Sequence, residues 1–156
     1  MPEHLIDCKR ILKWLLDHAV ELGFDPDSVF LTGGSAGALL ALLMALTPNR
    51  HEFQPGFEEV NTRVQGWTGF YGAYDFYSCF EKLDPENARS VLLQVVTGGT
   101  PDSHPEIYQQ SSPYHWSSKN LPPGMMLQGE QDTLIPMEEA LSMQNHLKQE
   151  AEENQI

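Results

Sequence analysis

The stretch Phe30-Leu31-Thr32-Gly33-Gly34-Ser35-Ala36-Gly37-Ala38-Leu39-Leu40 constrains the fold more than any other part of the chain. A short apolar run over 29–31 enters a glycine-flanked turn and leaves as an apolar helix. A strand that turns directly into a helix strains the residue at the tip, and bulky neighbours would clash with it. The pattern Gly33-x-Ser35-x-Gly37 therefore lifts the Ser35 hydroxyl above the carboxyl end of a strand. It also sets the Ala36 N–H at a helix start, where it can stabilise a developing oxyanion. A glycine-rich turn with a capping serine is the plain alternative. The strand before and the helix after favour a nucleophile elbow.

The rest of the composition narrows the class. A chain of 156 residues fits one domain, and 40% hydrophobic residues suffice for a core. Nine basic against 22 acidic residues leave a net charge of −13, which argues against nucleic acid or an anionic membrane as partner. Cys8 and Cys79 form no motif, so both are expected free and partly buried. No basic-then-apolar signal opens these residues and no stretch spans a bilayer, which makes the cytoplasm the default compartment.

Taken in order, residues 3–22 read as an amphipathic helix. Leu5, Cys8, Leu12, Leu15, Leu16, Ala19 and Leu22 share a three–four spacing, with Lys9, Lys13 and Asp17 on other faces. Gly23 stops it. After the Asp25-Pro26-Asp27 turn, 28–32 is a strand, and 36–46 is a helix apolar on nearly every face. Residues 50–62 read as an irregular surface segment. A second strand covers 64–70 and a helix falls within 84–96. Residues 98–123 form a loop with short helical turns, and a third strand covers 125–128. Pro136 opens a last helix to about 150, and the polar end to 156 frays. Strands separated by helices or long crossovers imply an α/β fold with a parallel sheet. Chemistry gathers at the carboxyl ends of such strands, and Ser35, Asp75 and Asp132 all belong there.

Several stretches together resemble the α/β-hydrolase esterases related to hormone-sensitive lipase, above all the bacterial carboxylesterase branch of the mycobacterial Lip type. They are Asp7-Cys8-Lys9-Arg10, Thr32-Gly33-Gly34-Ser35-Ala36-Gly37, Ala45-Leu46-Thr47-Pro48-Asn49 and Phe53-Gln54-Pro55-Gly56-Phe57-Glu58. Phe70-Tyr71-Gly72-Ala73-Tyr74-Asp75-Phe76 and Gly129-Glu130-Gln131-Asp132-Thr133-Leu134-Ile135-Pro136 complete the set, in family order. The resemblance implies Ser35 as nucleophile, Asp132 as the triad acid and the Ala36 N–H as part of the oxyanion hole. Gly33, Gly34 and Gly37 shape the elbow. Ala38 stands where many relatives carry glycine, and Gln128 replaces a histidine common before the acid turn.

The same resemblance places an His-Gly-Gly oxyanion loop upstream of Met1-Pro2-Glu3-His4, and a catalytic histidine one helix and strand beyond the acid. The chain is thus expected to be a single truncated domain, a partial α/β-hydrolase fold lacking strands on both flanks. None of the six histidines (His4, His18, His51, His104, His115 and His146) occupies the family position, and His146 reads as a polar helix-face residue.

The expected function is hydrolysis of small carboxylic esters by Ser35 with an Asp132-oriented histidine. An inactive fragment or interaction module is the alternative, with an unpaired sheet edge inviting self-association. Asp75 competes with Asp132 as the acid but reads better as a turn carboxylate capping the next segment. Trp67, Phe70, Tyr71 and Trp116 read as core or its rim before acyl pocket. No residue cluster has metal-ligand spacing, Gly33-Gly34-Ser35 lacks the lysine of a phosphate loop, and no cofactor is implied.

Overall fold

Three short apolar segments form the strands β1 (Phe30–Gly34), β2 (Gly66–Phe70) and β3 (Gly124–Leu127). They pair in parallel in the order β1-β2-β3, with Gly34 opposite Phe70 and Phe70 opposite Leu127. The computed structural model describes residues 2–81, 94–116 and 119–153. The helices are α1 (Pro2–Asp17), α2 (Ala19–Leu22), α3 (Ala36–Leu46), α4 (Phe76–Glu81), α5 (Pro105–Ser111) and α6 (Met137–Glu153). Short 3-10 turns lie at His51–Phe53 and Pro113–His115. The result is a three-stranded parallel sheet flanked by helices, the arrangement expected of a partial α/β-hydrolase fold.

The boundaries differ from the sequence expectations for local reasons. β1 starts at Phe30 rather than Ser28, because the Ser28 hydroxyl donates to Asp25 at 2.7 Å and the Asp27 N–H to the same carboxylate at 3.0 Å. That Asx turn holds residues 25–28 off the ladder. The single helix expected over 3–22 is divided at His18, whose Nδ1 lies 2.7 Å from the Trp14 carbonyl and whose ring stacks on Trp14. A side chain that shares a helix carbonyl weakens continuation of the helix there. The helix expected over 84–96 lies largely outside the described residues, as does the Cys79 side chain; 94–97 is helical. Cys8 is free and half-buried.

Two placements correct the sequence reading. Lys9, assigned to a polar face of α1, is fully buried (0% exposed). Its Nζ donates to the Thr47 carbonyl at the end of α3 and sits 5.9 Å from the Phe53 ring centre. A cation at a helix C-terminus meets unpaired carbonyls and the negative end of the helix dipole, which compensates part of its desolvation. Burial still pushes the Lys9 ammonium down to about 8. Residues 50–62 are irregular, but they are not all surface. Gln54 and Thr62 are buried and bonded to each other at 2.8 Å. Gln54 donates to the Val60 carbonyl, and Thr62 exchanges bonds with Asn49. This polar core satisfies its own backbone.

Among the described residues the helical layer lies on one face of the sheet. Gly69 points at α3, where an added Cβ would stand 3.2 Å from the Ala38 Cβ. Ala38, Leu39, Leu42 and Leu43 of α3 form one core with Leu5 and Leu12 of α1, Trp67 of β2 and Met143 of α6. The small residue expected at 38 is what lets helix and sheet meet. On the opposite face the strands present Phe30, Thr32, Thr68, Phe70, Met125 and Leu127. Phe30 is 69% and Met125 56% exposed.

Candidate active site

Ser35 joins β1 to α3 with φ 54° and ψ −120°, a region that non-glycine residues rarely occupy. Such a conformation costs on the order of 1–3 kcal/mol and persists only where neighbours enforce it. Here the Ser35 N–H donates to the Phe70 carbonyl at 2.9 Å. Its own carbonyl accepts the Ala38 N–H at 3.0 Å and the Leu39 N–H at 3.3 Å. The side chain is exposed and makes no capping bond to α3. The capping-serine alternative therefore lacks the hydrogen bond that defines it. Ala36 opens α3, where an amide has no intrahelical acceptor.

The elbow glycines are not equivalent. A Cβ on Gly33 would run into the Gly37 carbonyl group, and one on Gly34 would stand 2.7 Å from the Tyr71 hydroxyl oxygen. A Cβ on Gly37 would meet nothing within 4 Å. The backbone itself demands glycine only at Gly33; at Gly34 a Cβ would displace the Tyr71 side chain, and at Gly37 it meets nothing, whereas the motif suggested all three.

Asp132 follows β3 in a turn closed by its own N–H to the Gly129 carbonyl at 3.3 Å. Its Oδ1 accepts the Leu134 N–H at 2.8 Å and the Ile135 N–H at 2.9 Å. Its Oδ2 accepts the Gln128 side-chain amide at 3.1 Å, and that amide also donates to the Ile135 carbonyl at 2.7 Å. The carboxylate is therefore locked in orientation. Gln128, expected from sequence only as the last residue of the third strand and a replacement for histidine, lies one residue past β3 and does part of the locking.

Parallel pairing brings these groups to one end of the sheet. Ser35 follows Gly34, Tyr71 follows Phe70 and Gln128 follows Leu127, so the three residues continue one cross-strand row. Strands pair at about 4.8 Å, so Ser35 and Gln128, which leads into the Gly129–Asp132 turn, stand two spacings, about 10 Å, apart along the row. Asp75 lies beyond the same end, and its Oδ1 accepts the Tyr77 N–H at 3.1 Å at the start of α4. That is the capping role its turn suggested.

The described histidine contacts lie elsewhere. His18 bonds Trp14, His104 bonds the Ser103 hydroxyl at 2.9 Å, and His115 packs edge-on to Tyr77. His4 and His51 are exposed on α1 and the first 3-10 turn. His146 corrects its polar-face assignment, because its ring stacks on Tyr114 at 4.0 Å and its Nε2 is buried with no hydrogen-bond partner among the described residues.

The aromatics also separate. Trp67 is buried against Gly124, and Trp116 packs on Phe53 with Arg50 over its ring. Tyr74 is buried beside Gly69 and Gly72, and burial pushes its hydroxyl up to about 12. Phe70 and Tyr71 remain at the open end, 40% and 49% exposed. A groove of about 360 Å³ lies between β3 and α6, lined by Trp67, Met126, Gln144 and Lys148 among others, and does not include Ser35. Among the described residues no group of His, Cys, Asp and Glu is arranged to hold a metal. No described helix is long and apolar enough to cross a membrane.

Comparison with known proteins gives this geometry its relatives. Residues 1–147 match the BD-FAE family model. The chain is 41% identical over 148 residues to LipM, a probable carboxylic ester hydrolase of Mycobacterium tuberculosis, covering 95% of this chain and 34% of that protein. It is 34% identical over 150 residues to the esterase LipC of the same organism, covering 94% and 36%. It thus spans about a third of the length of these curated relatives. Among solved structures, a truncated carbohydrate esterase from gut microbiota shares the fold at TM-score 0.79 and 17% identity, covering 94% of this chain and 56% of that one. The thermophilic esterase Est2 of Thermogutta terrifontis aligns at TM-score 0.69 and 25% identity, covering 93% and 48%. Matched by the family model over residues 1–147 and by these relatives over nearly its whole length, the chain belongs to the BD-FAE family of α/β-hydrolase-type esterases.

Proposed function

We propose that this chain carries the nucleophile and acid of a serine hydrolase acting on small carboxylic esters. The observation that carries the reading is Ser35. Its backbone is held strained between strand and helix, and its hydroxyl is exposed and unused by the helix cap. In this reading the Ser35 Oγ attacks the ester carbonyl carbon, and its proton passes to a histidine oriented by Asp132. The Ala36 N–H donates to the resulting oxyanion. Collapse expels the alcohol, which takes the proton, and water then hydrolyses the acyl-serine. The locked Asp132 carboxylate supports an orienting role, since an acid that fixes a base must itself be fixed.

The placement of the histidines favours a second reading. Those with described contacts are engaged in the helical layer, as an unpowered elbow would have it. A fluorophosphonate probe decides between the two, because it reacts only with an activated serine. Labelling of the 156-residue chain that vanishes in Ser35→Ala establishes the hydrolase reading. A folded chain that stays unlabelled establishes the inactive one.

A further inference from the structure

Tyr71 shares with Ser35 and Asn49 a positive φ, here 41°, among the described non-glycine residues. A bulky residue in the left-handed region is strained, and strain of this kind gathers where a side chain must be aimed. Two contacts enforce it. The Tyr71 N–H donates to the Leu127 carbonyl at 2.8 Å, and the ring lies against Gly34, where a Cβ would stand 2.9 Å from its Cζ. Gly34 is the residue before Ser35, so the ring rests on the elbow itself. The hydroxyl makes no hydrogen bond among the described residues, and the side chain is half exposed. Beside it on the same sheet face stand Phe70 and Leu127, opposite each other in register and both partly open. An oriented donor beside apolar side chains supplies the polar and apolar contacts that fix a small ligand's orientation.

We propose that the Tyr71 hydroxyl donates a hydrogen bond to an ester oxygen of the substrate, with Phe70 and Leu127 receiving its acyl group. Tyr71 is then a specificity-determining residue. It selects a ligand with an acceptor at that point over one that is merely apolar. The proposal rests on the Ser35 reading only for which ester is turned over; binding at Tyr71 is separable from it.

The test uses the full chain in the Ser35→Ala background, where bound ester stays intact. Phenyl acetate and isobutylbenzene, its hydrocarbon isostere, are titrated by NMR against Ser35→Ala and against Ser35→Ala with Tyr71→Phe. The expected result is phenyl acetate binding weakened about fivefold by Tyr71→Phe, the size of one neutral hydrogen bond. Isobutylbenzene binding and the melting temperature stay unchanged, which a purely structural tyrosine would not give. Equal binding of phenyl acetate to both variants, equal weakening of both ligands, or no binding of phenyl acetate overturns the proposal. Fluorophosphonate labelling of the chain with Ser35 intact reports separately on the nucleophile, so the two failures are distinguishable.

Discussion

The Ser35 N–H donates to the Phe70 carbonyl at 2.9 Å, continuing the β1–β2 ladder past the end of β1. The other half of the same peptide unit, the Tyr71 N–H, donates to Leu127 at 2.8 Å. One rigid plane therefore spans from Ser35 to β3, the strand that leads into the Gly129–Asp132 turn. The strained conformation of Ser35 is held by this ladder and by the first turn of α3.

That strain is measurable. Ser35→Gly and Ser35→Ala both remove the hydroxyl, but only glycine occupies φ 54° at no cost. Urea unfolding should show Ser35→Gly more stable than Ser35→Ala by about 1 kcal/mol. Equal midpoints would mean that the elbow is relaxed.

The elbow glycines should separate by position. Gly33→Ala drives a methyl into the Gly37 carbonyl group and should lower stability by about 3 kcal/mol or more. Gly37→Ala enters open space near the start of α3 and should raise stability by about 0.5–1 kcal/mol. Thermal melts of the two variants check the contrast.

Lys9 should give a pH signature. Its folded-state value of about 8 lies below the ordinary 10.5, so between these values the unfolded chain holds the proton more tightly. Its contribution to stability therefore rises with pH through that window, by up to about 3 kcal/mol, and is flat below about pH 7. Cys8 and Tyr74 are shifted upward and act in the opposite sense. The quantity to follow is thus the stability difference between the native chain and Lys9→Met. That difference should move in favour of the native chain from pH 7.5 to 9.5 in urea titrations.

Gln128 should matter to the acid turn. Gln128→Ala leaves the Ile135 carbonyl and Asp132 Oδ2 without the amide that joins them. A loss of about 1–3 kcal/mol is expected in denaturant unfolding. If the chain labels with fluorophosphonate, the variant should also label more slowly, which a loss of stability alone would not produce at low temperature.

The strand-to-helix turn at Ser35, the Gly129–Asp132 turn and the parallel order were legible in the sequence because each is written locally. Glycines surround a serine, Gly129 precedes Asp132, and apolar runs alternate with helical periods. Lys9 was not legible. Its partner is the Thr47 carbonyl, distant in sequence, and periodicity alone assigns any lysine to solvent. The buried Gln54–Thr62 network failed for the same reason, since polar residues with prolines look like loop whatever they bond. His146 read as polar because the ring that stacks on it, Tyr114, comes from another element. Tyr71 was visible as an aromatic at a strand end; its left-handed backbone, set by bonds to β3, was not.

The one-sided helical layer has a consequence for how the chain behaves at boundaries between phases. The strand positions on the open face, from Phe30 to Leu127, carry no charged residue, whereas the described charged residues all lie on helices and loops of a chain whose net charge is −13. Among the described residues the sheet thus offers an uncharged, partly exposed face to a solvent-side surface that is otherwise rich in carboxylates. The chain should collect at air–water and oil–water surfaces, oriented sheet side down, and the substitution Phe30→Lys with Met125→Lys should release it. Surface-tension measurements on the two chains would show this, with self-association in sedimentation falling alongside.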